Sequence, residues 1–290
     1  MRLLGKNAII TGASQGFGFE IAKQFLHEGA KVLICARGNE RLRQAEEELL
    51  TAGAKAGHIL AAPADVSNYN DVQALFKLAV SNWGSIDILV CNAGVYGPKG
   101  LIQEVDWKEW AESVSTNILG TVIPCRISIP YFIQAKRGKI LVLSGGGATK
   151  PMPNLSAYAT SKAAAVRFAE TLAEELRPYR VDVNAIAPGA LNTRLLEEII
   201  HAGPERVGKT FYEQSLKQQQ SGGTPLEIGA RLCVYLASTE SDGITGKLIS
   251  AVWDPWERLQ EHAHELNNSD IYTLRRIVPK DRGQDWGEPK

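Results

Sequence analysis

Thr11-Gly12-Ala13-Ser14-Gln15-Gly16-Phe17-Gly18 decides how the rest of this chain is read. The apolar run at 7–11 leads into it, and Ile21, Ala22, Phe25 and Leu26 follow with helical period. Strand, glycine turn and helix, in that order, bring backbone N–H groups and a helix N-terminus to one point, where a pyrophosphate binds. The spacing is G-x-x-x-G-x-G, a variant of the commoner dinucleotide fingerprint. Gly12, Ser14, Gln15, Gly16, Phe17 and Gly18 are therefore predicted to cradle a dinucleotide, although a plain glycine-rich turn fits the same letters.

The next apolar run, 31–36, ends at Cys35-Ala36-Arg37. The end of a second strand is where the adenosine ribose of a dinucleotide sits. A carboxylate there would bond a free 2′-hydroxyl and repel a 2′-phosphate. This chain has no acid at 35–37 and has Arg37, whose guanidinium suits a phosphate. NADP is expected over NAD, with NAD as the alternative and a plain surface arginine as the bland reading.

Farther along, apolar runs at 58–63, 86–91, 139–143, 181–187 and 247–252 read as strands. The first leads to Asp65-Val66, with Ser67 as the N-cap candidate of a helix bearing Val72, Leu75, Phe76 and Ala79 on one stripe. The others end in Asn92-Ala93-Gly94, Ser144-Gly145-Gly146-Gly147 and Pro188-Gly189. Segment 107–137 reads as mostly helical, bent or interrupted by Pro124 and Pro130, with Asn117 in its first half. Helices are also expected at 39–50, 156–177 and 225–238. Strands alternating with helices predict an α/β fold, a doubly wound parallel sheet covered on both faces. The motifs after the strands then converge on the carboxyl edge of the sheet, where ligands bind.

In the helix expected at 156–177, Tyr158 and Lys162 lie one turn apart on one face. An ammonium beside a phenol favours phenolate and lowers a pKa that starts near 10, which prepares the phenol for proton transfer. A solvated pair carries the same spacing by chance. The convergence of the other motifs on one crevice favours the chemical reading.

Thirty-two basic and thirty-two acidic side chains cancel, and 44% of the residues are hydrophobic. Neither a nucleic-acid partner nor a membrane is expected: the charge is balanced, no apolar run approaches a span, and no signal peptide is read at the start. Cys35, Cys91, Cys125 and Cys233 are scattered, which fits small buried thiols in a reducing cytoplasm. The five histidines form no ligand set, and no metal is expected.

Together these residues resemble the classical short-chain dehydrogenase/reductase family over residues 5–250, a Rossmann-type fold. Thr11, Gly12, Gly16 and Gly18 match its glycine signature, Asp65 its adenine-contacting acid and Asn92, Ala93 and Gly94 its N-A-G motif. Asn117, Tyr158 and Lys162 match active-site residues. Pro188-Gly189-Ala190-Leu191-Asn192-Thr193 matches the loop that grips the nicotinamide carboxamide. The resemblance implies hydride transfer between NADP(H) and a small-molecule carbonyl or secondary alcohol. Tyr158 would be the general acid/base. Lys162 would depress its pKa and hold the nicotinamide ribose, and Asn117 would help position a relay water. It also implies a homodimer or homotetramer. Val66, Leu191 and Thr193 complete the expected cofactor contacts, and residues 194–224 would cover the substrate.

Two features depart from the pattern. The family's substrate-binding serine usually stands thirteen residues before the tyrosine, and that position here is Gly145. Ser144 is one place early, so a strand's alternation turns it to the other face unless a bulge restores it. Otherwise Thr149, Ser156, a backbone N–H or water must serve, or the protein is a catalytically weak cofactor-binding sensor. The second departure follows the domain predicted at 1–252: an extension over 253–290, expected to pack on its own domain, on a neighbouring subunit or over the substrate pocket.

Overall fold

Every run read as a strand joins one sheet, in the computed structural model, which describes residues 1–287. The strands are β1 (Asn7–Thr11), β2 (Lys31–Ala36), β3 (Ile59–Pro63), β4 (Ile88–Cys91), β5 (Gly138–Leu143), β6 (Val181–Ala187) and β7 (Leu248–Ser250). All pairs are parallel, in the order β3-β2-β1-β4-β5-β6-β7. β1 and β4 are neighbours although three helical crossovers separate them in sequence. That reversal of strand order opens a crevice at their carboxyl ends. β7 is shorter than expected because only Ala185–Ala187 of β6 pair with it.

The central strands are buried along their whole length, and alternate residues serve opposite faces. Ala8 and Ile10 of β1 join the core with Phe17, Ile21 and Phe25 of α1 (Gly16–His27) and Leu42 and Leu49 of α2 (Asn39–Thr51). Ile9 joins the opposite core with Phe76 of α3 (Tyr69–Trp83). Burying a side chain the size of Phe25 or Phe76 contributes about 1.5–3 kcal/mol, so a one-residue slip of β1 would forfeit both cores. The N-cap of α3 is Asn68 rather than Ser67; its side-chain oxygen accepts from the backbone N–H of Asn70 and Asp71. Ser67 is instead spent on Asp65, to which its N–H and hydroxyl both donate.

The predicted segment 107–137 divides into α4 (Trp107–Val114), a wide π-type turn (Ser115–Leu119) and α5 (Gly120–Ala135). Pro124 and Pro130 are accommodated inside α5, and the interruption falls upstream of both. Such wide turns often mark functional positions, and this one carries Asn117. The compound helix Trp107–Ala135 is long and apolar enough by itself to cross a membrane, with mean hydropathy 1.3 over its best window. No apolar run of that kind was expected from the sequence. In the fold it packs between α3 and α6 (Ser156–Leu176), burying Cys125 and Phe132.

After β6 come α7 (Arg194–Ala202), α8 (Pro204–Val207), α9 (Lys209–Ser221) and α10 (Leu226–Ala237). The extension then wraps the β7 edge. Leu248 N–H donates to Tyr272 O, and Lys247 Nζ donates to Ser269 O and Ile271 O. Trp256, Leu259 and Leu266 are buried in the α1–α10 core, the last on α11 (Ala263–Asn267). The described part of the extension therefore lies on its own domain. Positions 288–290 lie outside the described residues.

Candidate active site

The crevice at the carboxyl edge is a cleft of about 1370 Å³. Every residue expected to bind the cofactor lines it, as do Ser144, Tyr158 and Lys162; Asn117 lies behind its wall.

Its floor is a locked turn. Thr11 Oγ1 accepts from Asn92 N–H at 3.0 Å and Ala93 N–H at 3.1 Å, and Asn92 Nδ2 donates to Thr11 O and Gly12 O at 2.9 Å each. Gly12 has φ +63°, and a Cβ there would stand 2.7 Å from Ala93 Cα. Glycine is required by both the dihedral and the approach. α1 begins directly after, with no side chain capping it and no acid in its first turn. Its free N–H groups and positive dipole end open on the cleft. A cradle that a Cβ would fill, beside an uncapped helix start, fits the pyrophosphate of a dinucleotide.

At the β2 end stands Arg37, close enough to Asp65 to help hold its carboxyl below the usual range, behind the larger effect of the Ser67 hydroxyl. Arg41 lines the same end, a residue the sequence reading passed over. Only its place in the first turn of α2, four residues past Arg37, could have signalled it.

At the other end α6 presents Tyr158 and Lys162, both buried. Lys162 Nζ donates to Leu143 O at 2.8 Å and lies 5.8 Å from the Tyr158 ring centroid. Burial lowers its ammonium from 10.5 to about 8. The Tyr158 phenol is not depressed as the sequence suggested. Burial raises it, and the neighbouring Tyr96 adds to the rise. The ammonium is directed at a backbone carbonyl of β5, so its effect on the phenol is outweighed by desolvation.

Asn117 Oδ1 accepts from Val95 N–H at 2.8 Å, and its Nδ2 donates to Val95 O at 2.9 Å and Ser161 Oγ at 2.8 Å. Its visible work is to clamp the segment after Gly94. Val95 is followed by Tyr96, whose ring lies 4.5 Å from that of Tyr158, tilted by 59°.

The sequence profile of the short chain dehydrogenase family matches residues 6–203. The chain belongs to that family. The 3beta-hydroxysteroid dehydrogenase 1 of Eggerthella lenta is 35% identical over 246 residues, 84% of this chain and 91% of that protein. The 3-oxoacyl-(acyl-carrier-protein) reductase FabG of Chlamydia muridarum is 32% identical over 251 residues, 86% of this chain and 96% of its own. The fold matches a crystal structure of levodione reductase with TM-score 0.79 at 23% identity, covering 90% of this chain and 99% of that one. The protein is thus an NAD(P)-dependent oxidoreductase by family.

In this short-chain dehydrogenase the position facing the tyrosine from β5 is Gly145, with extended backbone (φ −172°, ψ 173°), and no bulge intervenes. Ser144 N–H still bonds Ile186 O in the sheet, and its hydroxyl is buried without a hydrogen-bond partner among the described residues. It makes no hydrogen bond to Tyr158. Thr149 lines the cleft, while Ser156 Oγ accepts from Trp110 Nε1 at 3.1 Å, away from it. Tyr96, Met152 and Phe211 wall the substrate end, joined by Trp253 from the extension. Tyr96 was missed in the sequence, although an aromatic two places after Gly94 was the available signal.

Proposed function

We propose that this dehydrogenase uses NADP(H) to reduce a carbonyl to a secondary alcohol. The observation that carries the reading is Tyr158: a buried phenol, one helical turn from Lys162, in the same cleft as the uncapped start of α1. When bound, the cofactor supplies hydride to the substrate carbon. Tyr158 then gives its proton to the substrate oxygen. Burial keeps the proton on the resting phenol, so Tyr158 carries the proton that carbonyl reduction consumes. Lys162 holds the nicotinamide ribose and, charged at neutral pH, stabilises the phenolate as it forms. Asn117 fixes the loop between Gly94 and Tyr96.

Arg37, backed by Arg41, is the argument for the 2′-phosphate of NADP. Solved neighbours of similar likeness include an NADPH-bound actinorhodin polyketide ketoreductase and an NAD+-bound xylitol dehydrogenase, so the choice rests on the two arginines. The names of the relatives point to 3beta-hydroxysteroids, with their ketone counterparts as the reduction substrates, and 3-oxoacyl groups as substrate classes. A homo-oligomer is part of this reading, supported by the exposed Leu119 and Trp107 on the Trp107–Ala135 helix. A cytoplasmic home is supported by four free, buried cysteines. A second reading, a cofactor-binding protein with little turnover, draws on Gly145.

The test titrates NADPH and NADH by fluorescence and assays turnover of a 3-ketosteroid, a 3-oxoacyl thioester and cyclohexanone by wild type and Tyr158→Phe. Turnover lost in Tyr158→Phe with cofactor binding kept supports the enzyme. Tight cofactor binding without Tyr158-dependent turnover favours the weak binder.

A further inference from the structure

Three features of the cleft bear on one question: what meets the substrate oxygen besides Tyr158. Gly145 supplies no side chain, and the space beyond its Cα is taken by the Tyr158 hydroxyl itself. Ser144 Oγ is sealed off, less than fully satisfied and not bonded to the tyrosine. Tyr96 lines the same cleft, packed ring to ring with Tyr158.

Tyr96 is also held firmly. The residue before it, Val95, is gripped at both its N–H and its C=O by Asn117. The residue after it, Gly97, has φ +74° and sits so tightly on Ser113 that a Cβ would overlap the serine hydroxyl. Neither phenol oxygen has a hydrogen-bond partner among the described residues. Two tyrosines in ring contact on one cleft wall offer one phenol to transfer a proton and another to bind the developing charge.

We propose that the Tyr96 hydroxyl donates the second hydrogen bond to the substrate oxygen, doing the work of the side chain that Gly145 lacks. The assignment rests on the carbonyl-reduction reading above. In the step, hydride goes from the cofactor to the carbonyl carbon and the proton goes from Tyr158 to the oxygen. Tyr96 keeps its own proton and contributes only the hydrogen bond. It suits that role electrostatically: burial and then the Glu198 carboxylate push its phenol up to about 12, so it stays protonated through the neutral range. Lys99, paired with Glu198 at 3.0 Å and 6.0 Å from the Tyr96 ring centroid, fixes that charge in place.

The experiment compares wild type, Tyr96→Phe, Ser144→Ala, Thr149→Ala and Tyr158→Phe on the three carbonyl probes with NADPH. Phenylalanine at 96 keeps the ring contact and removes only the hydroxyl. Loss of one such donor lowers kcat by about 10²–10³, so Tyr96→Phe should fall in that range with the NADPH Kd and Tm unchanged. Ser144→Ala and Thr149→Ala should lower kcat far less than Tyr96→Phe does. Tyr158-dependent turnover that Tyr96→Phe leaves intact, or that Ser144→Ala or Thr149→Ala lowers as much, overturns the Tyr96 role alone. No Tyr158-dependent turnover on any probe overturns the carbonyl reading and this role with it.

Discussion

Gly145 presses directly on the phenol oxygen of Tyr158: a Cβ built on the glycine overlaps Tyr158 Oη. The glycine is therefore more than a lost serine. The tyrosine reaches into the space that a side chain at 145 would need, and Tyr96 packs against its ring.

Restoring a serine at this position should consequently harm the protein. Gly145→Ser is expected to displace Tyr158 from a packed site, at an overpacking cost of about 1–3 kcal/mol. Thermal unfolding should shift downward and kcat should fall at least tenfold on any carbonyl that wild type reduces. A serine variant with higher kcat and unchanged Tm would show that Tyr158 swings aside freely, and the close packing would then have no functional weight.

Arg37 should set cofactor choice. A charge-assisted hydrogen bond contributes about 1.5–3 kcal/mol, and each 1.4 kcal/mol is tenfold in affinity. Arg37→Ala is expected to weaken NADPH by roughly 10- to 100-fold and leave NADH nearly unchanged. Fluorescence titration of both cofactors measures this. If the ratio of the two Kd values does not move, the 2′-phosphate is held elsewhere, and Arg41 becomes the residue to change.

The parts of this molecule legible in its sequence are those where a local pattern states a backbone need. The glycine turn, the apolar runs and the helical stripe of α3 each specify their own geometry, and the sheet follows from their alternation. What was not legible depends on distance. The phenol of Tyr158 is raised because α6, Tyr96 and α7 together shut out water, a fact of packing that the Tyr158–Lys162 spacing does not contain. Ser67 looked like the cap of α3 because serine caps well, yet Asp65 claims it and Asn68 takes the role. Tyr96 is local to Gly94, but its meaning appears only when Asn117, from a different helix, is seen holding the residue before it.

Lys162 should contribute stability that grows with pH in one window. An unfolded lysine keeps its proton to about pH 10.4, whereas the folded protein releases it at about 8. Between those values the unfolded lysine binds more protons, so this group makes unfolding harder as pH rises. The raised Tyr158 phenol opposes this only above about pH 10, where the unfolded tyrosine ionises and the folded one does not. From about pH 8 to 10 the lysine contribution is roughly 2 kcal/mol at 1.36 kcal/mol per unit. The thiols of Cys35 and Cys233, raised by burial, and of Cys91, raised by its contact with Cys125 and by burial, pull the other way above about pH 8.5. Urea unfolding across that range should therefore show stability falling more gently in wild type than in Lys162→Met. Equal slopes would mean that the ammonium is solvated in the folded protein.

Two tryptophans of the extension should separate folding from substrate handling. Trp256 is buried, tilts against Tyr235 at 5.7 Å between centroids and donates Nε1 to Ala251 O at 3.2 Å. Trp253, three residues earlier, is 84% exposed and stands on the cleft rim. The turn between them is fixed: Ser250 N–H donates to Asp254 Oδ2 at 2.7 Å, and Trp253 N–H donates to Ser250 Oγ at 3.2 Å. Trp256→Ala removes a core side chain and should cost about 3–5 kcal/mol. Trp253→Ala removes little burial and should change stability by less than about 0.5 kcal/mol. A large apolar ring held at a pocket mouth has contact area to offer a bulky substrate, so Trp253→Ala should raise KM several-fold for a ketosteroid and leave cyclohexanone nearly unchanged. Urea unfolding and steady-state kinetics on the two variants check both halves. A Trp253→Ala protein that loses stability like Trp256→Ala, or that keeps its KM for the ketosteroid, would make the extension a structural wrap of β7 and nothing more.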